Sequence, residues 1–131
     1  MKPLLMNGNI VYRQCAVEEV APLMVDAVKE GLTFIDGVIY FGAFDGDKIV
    51  ACSGLKITGN KVFFKSSFVT PEYRGIGIYK AMVSISYSFI VALGCKKIVA
   101  YCTKMSYPMF QKLGFSVVKQ YSKTWKVEKD I

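Results

Sequence analysis

The segment FVTPEYRGIGIYKAM, from Phe68 to Met82, constrains the fold most strongly, because it turns a β-like run directly into a helix-like run. The β-like run stops at Pro71, and Gly75 and Gly77 precede an apolar pattern with helical spacing. A helix that begins here points its first free N–H groups beyond the end of the strand, where they and the helix dipole form an anion site. Glycine leaves such a site open to phosphate because it has no Cβ. The corner is therefore suited to a pyrophosphate, although the two glycines alone would also suit a tight turn with close helix packing.

The segments around this corner predict a chain of β and α elements in the order β, α, β, β, β, α, β, α, β. Pro22 is expected to interrupt the first helical segment or to start a turn there. No internal repeat or linker separates these elements, so residues 1–131 are predicted to form a single domain. The predicted elements are a strand over 9–16, one helix or two short ones over 17–32, hairpin strands over Val38 to Phe44 and Ile49 to Ile57, a strand over 62–69, a helix over 78–93, a strand over 96–103, a short helix over 106–114 and one or two strands over 115–129.

Composition excludes several classes of protein. Hydrophobic residues make up 53% of the 131 residues, which is typical of a compact folded domain rather than a disordered chain. The apolar run FIVAL is far shorter than the ~20 residues of a membrane span, and the N-terminus is not a secretory signal, so a cytoplasmic protein is predicted. The chain has no histidine, which removes Ser-His and Cys-His catalysis and most zinc sites, and no metal is expected. The four cysteines lack C-x-x-C spacing and are predicted to be buried, reduced thiols.

The corner, followed by a strand and by YPMFQKLGF, resembles the GNAT family of N-acetyltransferases. In that family an Arg or Gln, two spacer residues, Gly, a spacer and Gly or Ala bind the pyrophosphate of acyl-coenzyme A. The match falls on Arg74, Gly77 and Tyr79, and Tyr79 departs from the pattern because it is larger than the usual residue. The resemblance covers nearly the whole chain. It implies a GNAT-like α/β (α+β) fold with a mixed, mostly antiparallel central sheet of six to seven strands flanked by helices.

The resemblance also implies that acetyl-CoA binds as co-substrate. Its pantetheine arm is expected between the strand that ends at Val69 and the strand that contains Ile98 to Cys102, where the two splay apart. The backbone N–H of Phe68 or Val69 would hold the thioester carbonyl, and Thr103 matches the family's usual Asn. The candidate cofactor-binding residues are Phe68, Val69, Arg74, Gly75, Ile76, Gly77, Ile78, Tyr79, Lys80, Thr103 and Phe110.

The catalytic residues expected from the family are only partly present. A neutral amine would attack the thioester directly, but the central strand FFKSSF carries no carboxylate base, so Ser67 is a candidate to position water. Glu72 is the nearest carboxylate in sequence, with an exposed turn position as its alternative. The family's frequent general acid, a tyrosine five residues before Phe115, is matched by Phe110. Tyr107, one helical turn earlier, is the candidate substitute, with a packing role as its alternative.

Three classes of function remain open for the protein. The first is an N-acetyltransferase acting on a primary amine. The second is a nucleic-acid-modifying protein similar to the phage Mom-type adenine-modifying group, favoured by the net charge of +7 and the RGIGIY corner. In that case KQYSKTWK, Lys119 to Lys126, would stack bases and neutralise phosphates, whereas its alternative is an edge strand with Tyr121 and Trp125 facing the core. The third is a catalytically silent coenzyme A-binding module. Sequence leaves the acceptor, the acyl group and the oligomeric state open.

Overall fold

The computed structural model describes residues 9–32, 37–104 and 106–131 of the chain. The order of its elements follows the predicted order, and the C-terminal segment forms two strands. The elements are β1 (Ile10–Cys15), α1 (Val17–Lys29), β2 (Ile39–Asp45), β3 (Lys48–Thr58), β4 (Lys61–Val69), a 3₁₀ turn (Pro71–Tyr73), α2 (Ile78–Ala92), β5 (Lys97–Thr103), α3 (Tyr107–Lys112), β6 (Ser116–Gln120) and β7 (Thr124–Asp130).

The first helix, α1, is continuous through Pro22, so the predicted interruption there is wrong. Acidic residues lie in its first turn and a lysine in its last, an arrangement that complements the helix dipole. Val20, Leu23 and Ala27 are buried against the sheet. This packing outweighs the one backbone hydrogen bond that the proline cannot donate.

The described strands form a seven-stranded sheet in the order β1-β2-β3-β4-β5-β7-β6. Neighbouring strands are antiparallel except β4 and β5, which are parallel, so the predicted mixed, mostly antiparallel sheet is confirmed. Helix α1 packs on one face with Tyr40 and Phe68, and α2 packs on the other face with Phe41 and Leu55. The sheet thus lies between helices, and its two faces carry separate apolar clusters.

Strands β4 and β5 pair over three positions and then separate. The pairing runs from Lys61 with Lys97 to Phe63 with Val99, although β4 continues to Val69 and β5 to Thr103. On its other side β4 carries a bulge against β3, because its register shifts there, and Ser66 adopts a left-handed φ of 52°. The parallel strands therefore end at the same edge of the sheet with a gap between them.

All four cysteines lie within the described residues and are free thiols. Cys52, Cys95 and Cys102 are buried as predicted, whereas Cys15 is half-buried. No helix in the described ranges has the length and apolar character that crossing a bilayer requires.

Candidate active site

The glycine corner leads from the end of β4 into the N-terminus of α2. Gly77 is the N-cap residue with φ of +89°, and Gly75 has φ of +80°, so both positions need a residue without a Cβ. The first backbone bond of α2 runs from the Ala81 N–H to the Gly77 carbonyl at 3.0 Å, so the amides of residues 78–80 have no partner within the helix. A Cβ placed on either glycine would meet no atom within 4 Å. The corner therefore borders open space, and the free backbone N–H groups of α2 point into that space, as an anion site requires.

Side chains at this corner differ in their exposure. Ile76 and Lys80 are exposed, whereas Ile78 is buried in the core and can offer a ligand only its backbone. The Arg74 guanidinium is already engaged, because its Nε donates to the Val69 carbonyl at 2.8 Å and its Nη2 lies 2.8 Å from a Glu30 carboxylate oxygen. Arg74 thus ties the end of β4 to α1.

Backbone alternation along β4 distinguishes the two amides predicted to hold a thioester carbonyl. The Thr70 N–H donates to the Val50 carbonyl of β3 at 2.9 Å, and the amide of Phe68, two residues earlier and paired with Cys52, faces β3 as well. Successive amides of a strand point to opposite sides, so the Val69 N–H faces away from β3. It faces the gap toward β5, beyond the last paired position.

The Tyr79 side chain enters this gap. Its hydroxyl shares a hydrogen bond with Ser67 of β4, and the Cys102 thiol of β5 is close enough to influence its ionisation. Burial raises the pKa of the Tyr79 phenol to about 12, while the bond with Ser67 acts in the opposite direction. Ser67 Oγ lies 3.1 Å from Ser53 Oγ, so three hydroxyls form one chain. Ser53 was missed by sequence reasoning, since its place opposite the bulge depends on the pairing of β3 with β4.

The two candidate residues of α3, Tyr107 and Phe110, pack against other aromatic side chains. Phe110 is 1% exposed and its ring meets the rings of Phe115 at 5.0 Å and Phe64 at 6.3 Å. The Tyr107 ring stacks on Trp125 with a centroid separation of 5.1 Å, which agrees with the packing alternative for this tyrosine. Neither contact places a hydroxyl against the chain of Ser53, Ser67 and Tyr79.

Thr103 ends β5 and is exposed at the same sheet edge as the glycine corner, because β4 and β5 are parallel. Its backbone N–H donates to Ser106 Oγ at 3.3 Å, which fixes the turn into α3. The structure therefore brings this residue to the edge where the two strands part.

Glu72 is exposed in the 3₁₀ turn and lines a groove of about 500 Å³ between α1 and the β2–β3 turn. The groove reaches Thr70 at the end of β4. Its charged lining residues are Glu19, Asp26, Asp47, Lys48 and Glu72. Glu19 pairs with Arg13, and Asp26 lies 4.0 Å from Lys29, so the groove keeps only a small excess of carboxylates, which favours a cationic ligand weakly.

The basic C-terminal segment runs from the edge strand β6 into its neighbour β7. Strand β6 is exposed along its length, and the Lys119 Nζ lies 5.1 Å from the centre of the Tyr121 ring. Trp125 packs against the core, but Tyr121 is 41% exposed, so the expectation that both rings face the core is wrong for Tyr121. The loop before β7 leaves Tyr121 at the sheet margin, beside Tyr101. Among the described residues, no group of three or more His, Cys, Asp or Glu side chains could hold a metal ion.

A family model described as Acetyltransferase (GNAT) family matches residues 11–115. The chain belongs to this GNAT family. The match extends from β1 to the residue before β6 and includes the glycine corner and the splayed strands. It does not show a link to the Mom-type group, and no curated protein matches the sequence at a significant level.

Solved structures share the fold at low sequence identity. PaiA N-acetyltransferase from Thermoplasma acidophilum, in complex with coenzyme A, is 17% identical with a TM-score of 0.78, and the match covers 93% of this chain and 99% of that chain. IAA acetyltransferase from Bacillus cereus is 13% identical with a TM-score of 0.78 and the same coverage of 93% and 99%. ElaA from Escherichia coli is 14% identical with a TM-score of 0.75, covering 92% and 99%. The GNAT-like fold is therefore confirmed.

Proposed function

We propose that the protein is an N-acetyltransferase that transfers the acetyl group of acetyl-CoA to a primary amine, with residues 1–131 acting as one acyl-CoA-binding domain. The observation that carries this proposal is the meeting, at one sheet edge, of an open helix N-terminus and two parted parallel strands. Acetyl-CoA needs both features, because the helix N-terminus suits its diphosphate and the gap between the strands suits its thioester arm. The coenzyme A complex of the PaiA N-acetyltransferase, which shares the fold, supports the choice of cofactor.

The N-terminus of α2 would hold the pyrophosphate. The amides of residues 78–80 and the positive end of a 15-residue helix supply hydrogen-bond donors and partial charge. No acidic residue lies in the first turn, so a bound diphosphate meets no carboxylate there. The exposed Lys80 adds a cation on the same turn, and Arg74 keeps the corner in place through its bonds to Val69 and Glu30.

The gap between β4 and β5 would receive the pantetheine arm alongside the Tyr79 side chain, and the Val69 N–H would hold the thioester carbonyl. Attack by a neutral amine places negative charge on that carbonyl oxygen. A donor already fixed at this position stabilises the charge, and removing one such donor lowers kcat by about 10²–10³ in enzymes where this has been measured. Val69 is fixed because its own carbonyl accepts from Arg74 and the next amide is bonded to β3.

The groove beside Glu72 would admit the acceptor. Its small excess of carboxylates, which remains after Glu19 pairs with Arg13 and Asp26 with Lys29, suits a cationic amine better than a nucleic acid. Glu72 or a water held at Ser67 would take the proton that the amine must lose. Two of the basic side chains are meanwhile ion-paired elsewhere, since Lys97 and Lys126 both lie within 4.0 Å of Glu128 carboxylate oxygens.

An acetyl-transfer assay tests the proposal. The purified chain is incubated with acetyl-CoA and a diamine, a lysine-containing peptide or an aromatic amine, and thiol release is measured together with the mass of the acetylated product. We expect product with at least one amine and faster release with the dicationic diamine than with the aromatic amine. Absence of coenzyme A binding would contradict the proposal. Salt-dependent binding to duplex DNA, with no acetylation of any amine, would instead support the nucleic-acid class.

A further inference from the structure

The hydroxyl of Tyr79 lies in the gap between β4 and β5, where the proposed thioester site is. It bonds to Ser67 on β4 and belongs to the same packed cluster as Cys102 on β5, although pairing between these strands has already ended at Phe63. Ser67 is two residues before Val69, whose N–H faces the same gap. We propose that Tyr79 is the catalytic acid that protonates the departing coenzyme A thiolate, an assignment that rests on the proposed acetyltransferase function.

The position of the Tyr79 ring supports this role. It meets the Phe110 ring edge-on, with centroids 6.1 Å apart and planes at 80°. Phe110 is fully buried and has no proton to give, and Tyr107 is stacked on Trp125. Tyr79 therefore brings a phenol from α2 to the neighbourhood of the residue on α3 that matches the family's usual acid.

The surroundings keep the Tyr79 phenol protonated before the reaction and stabilise the phenolate that forms when the proton is given away. Burial raises its pKa to about 12, so the proton stays on oxygen at neutral pH. The bond with Ser67 favours the ionised form, because a hydroxyl can donate to a phenolate. Ser53, 3.1 Å from Ser67, extends the chain of hydroxyls that can return a proton.

The step conserves atoms and charge. The neutral amine forms a C–N bond to the thioester carbon, and collapse of the tetrahedral intermediate breaks the C–S bond, leaving the electron pair on sulfur. Tyr79 gives its O–H proton to that sulfur, and the acetylated nitrogen gives its extra proton to water. The phenolate regains a proton from solvent through Ser67, so the net products are an amide and coenzyme A thiol.

The test measures the thiol pKa of bound coenzyme A, which needs no acceptor. Thiolate absorbance is followed against pH in complexes with coenzyme A, and matched complexes with desulfo-coenzyme A subtract the tyrosine signal. A phenol that donates to the thiolate lowers the thiol pKa, so Tyr79→Phe should raise it by about one to two units, as for a hydrogen bond to a charged group. Thiol release with acetyl-CoA and an amine should fall by about 10²–10⁴. The control is Tyr87→Phe, which removes a hydroxyl from the same helix more than two turns away and should leave both values unchanged.

Three results would overturn the assignment. One is an unchanged thiol pKa in Tyr79→Phe that still binds coenzyme A. Another is a shift that appears in Tyr107→Phe instead. The third is tighter coenzyme A binding by Tyr79→Ala, which would mean that the Tyr79 ring blocks the path of the pantetheine arm. Failure of the unsubstituted protein to bind coenzyme A would be distinct from these, since it removes the proposed function itself.

Discussion

Replacing Gly77 with alanine separates ligand binding from backbone strain. Gly77 adopts φ of +89° at the N-cap of α2, and Gly94 adopts φ of +78° just beyond its C-terminal end. A left-handed alanine costs about 1–2 kcal/mol, so Gly77→Ala and Gly94→Ala should lower the free energy of unfolding by similar amounts. At both positions the added Cβ meets no protein atom within 4 Å, which leaves strain as the shared cost.

The two variants should differ in coenzyme A affinity. We expect the methyl group at Gly77 to take up part of the open space that a phosphate would occupy at this helix N-terminus, so that the phosphate loses at least one charge-assisted hydrogen bond. Such a bond contributes about 1.5–3 kcal/mol, which corresponds to roughly 10- to 100-fold in Kd. Titration calorimetry with coenzyme A measures this, and urea unfolding confirms the matched strain. Equal affinity in Gly77→Ala and Gly94→Ala would refute the assignment of the pyrophosphate to this corner.

Three further outcomes are expected. Val69→Pro removes the N–H that faces the gap and should lower kcat for thiol release by about 10²–10³; an unchanged kcat would exclude this donor. Phe110→Ala leaves a cavity at a residue 1% exposed and should lower the free energy of unfolding by about 3–5 kcal/mol in urea, whereas a loss under about 1 kcal/mol would contradict its place in the core. The hydrogen bond from Arg13 and that from the Ala16 N–H hold the pKa of Glu19 down at about 2, so their contribution to stability is present above pH 4.5 and is lost as pH falls toward 2. Thermal unfolding of Glu19→Gln should lack that part of the acid dependence, and identical pH profiles would contradict it.

The sequence predicted those parts of the fold that depend on the backbone preferences of individual residues. The Pro71, Gly75 and Gly77 sequence marks the corner because each residue restricts or frees the backbone in a known way, and α2 begins at Ile78 as the apolar spacing indicates. The predicted interruption of α1 at Pro22 was wrong, because packing against the sheet outweighs the local cost of the proline and cannot be read from the sequence.

Pairing between distant segments could not be predicted in the same way. Strand β7 lies between β5 and β6, although it follows β6 in the chain, and alternating side chains do not specify that order. The bulge at Ser66 uses a left-handed serine, which has no sequence signature, yet it determines that Ser67 faces Tyr79 and Ser53. Tyr79 was predicted as a cofactor-binding residue that departs from its motif, but a role for its hydroxyl was not predicted, because the direction of its ring depends on the gap between β4 and β5.

A crystal structure with bound coenzyme A tests the central claim most directly. The proposal predicts pyrophosphate oxygens within about 3.2 Å of the amide nitrogens of residues 78–80, with the pantetheine arm between β4 and β5 and its sulfur beside the Tyr79 hydroxyl. A pyrophosphate bound away from the N-terminus of α2, or an arm that bypasses the gap after Phe63 and Val99, would contradict it.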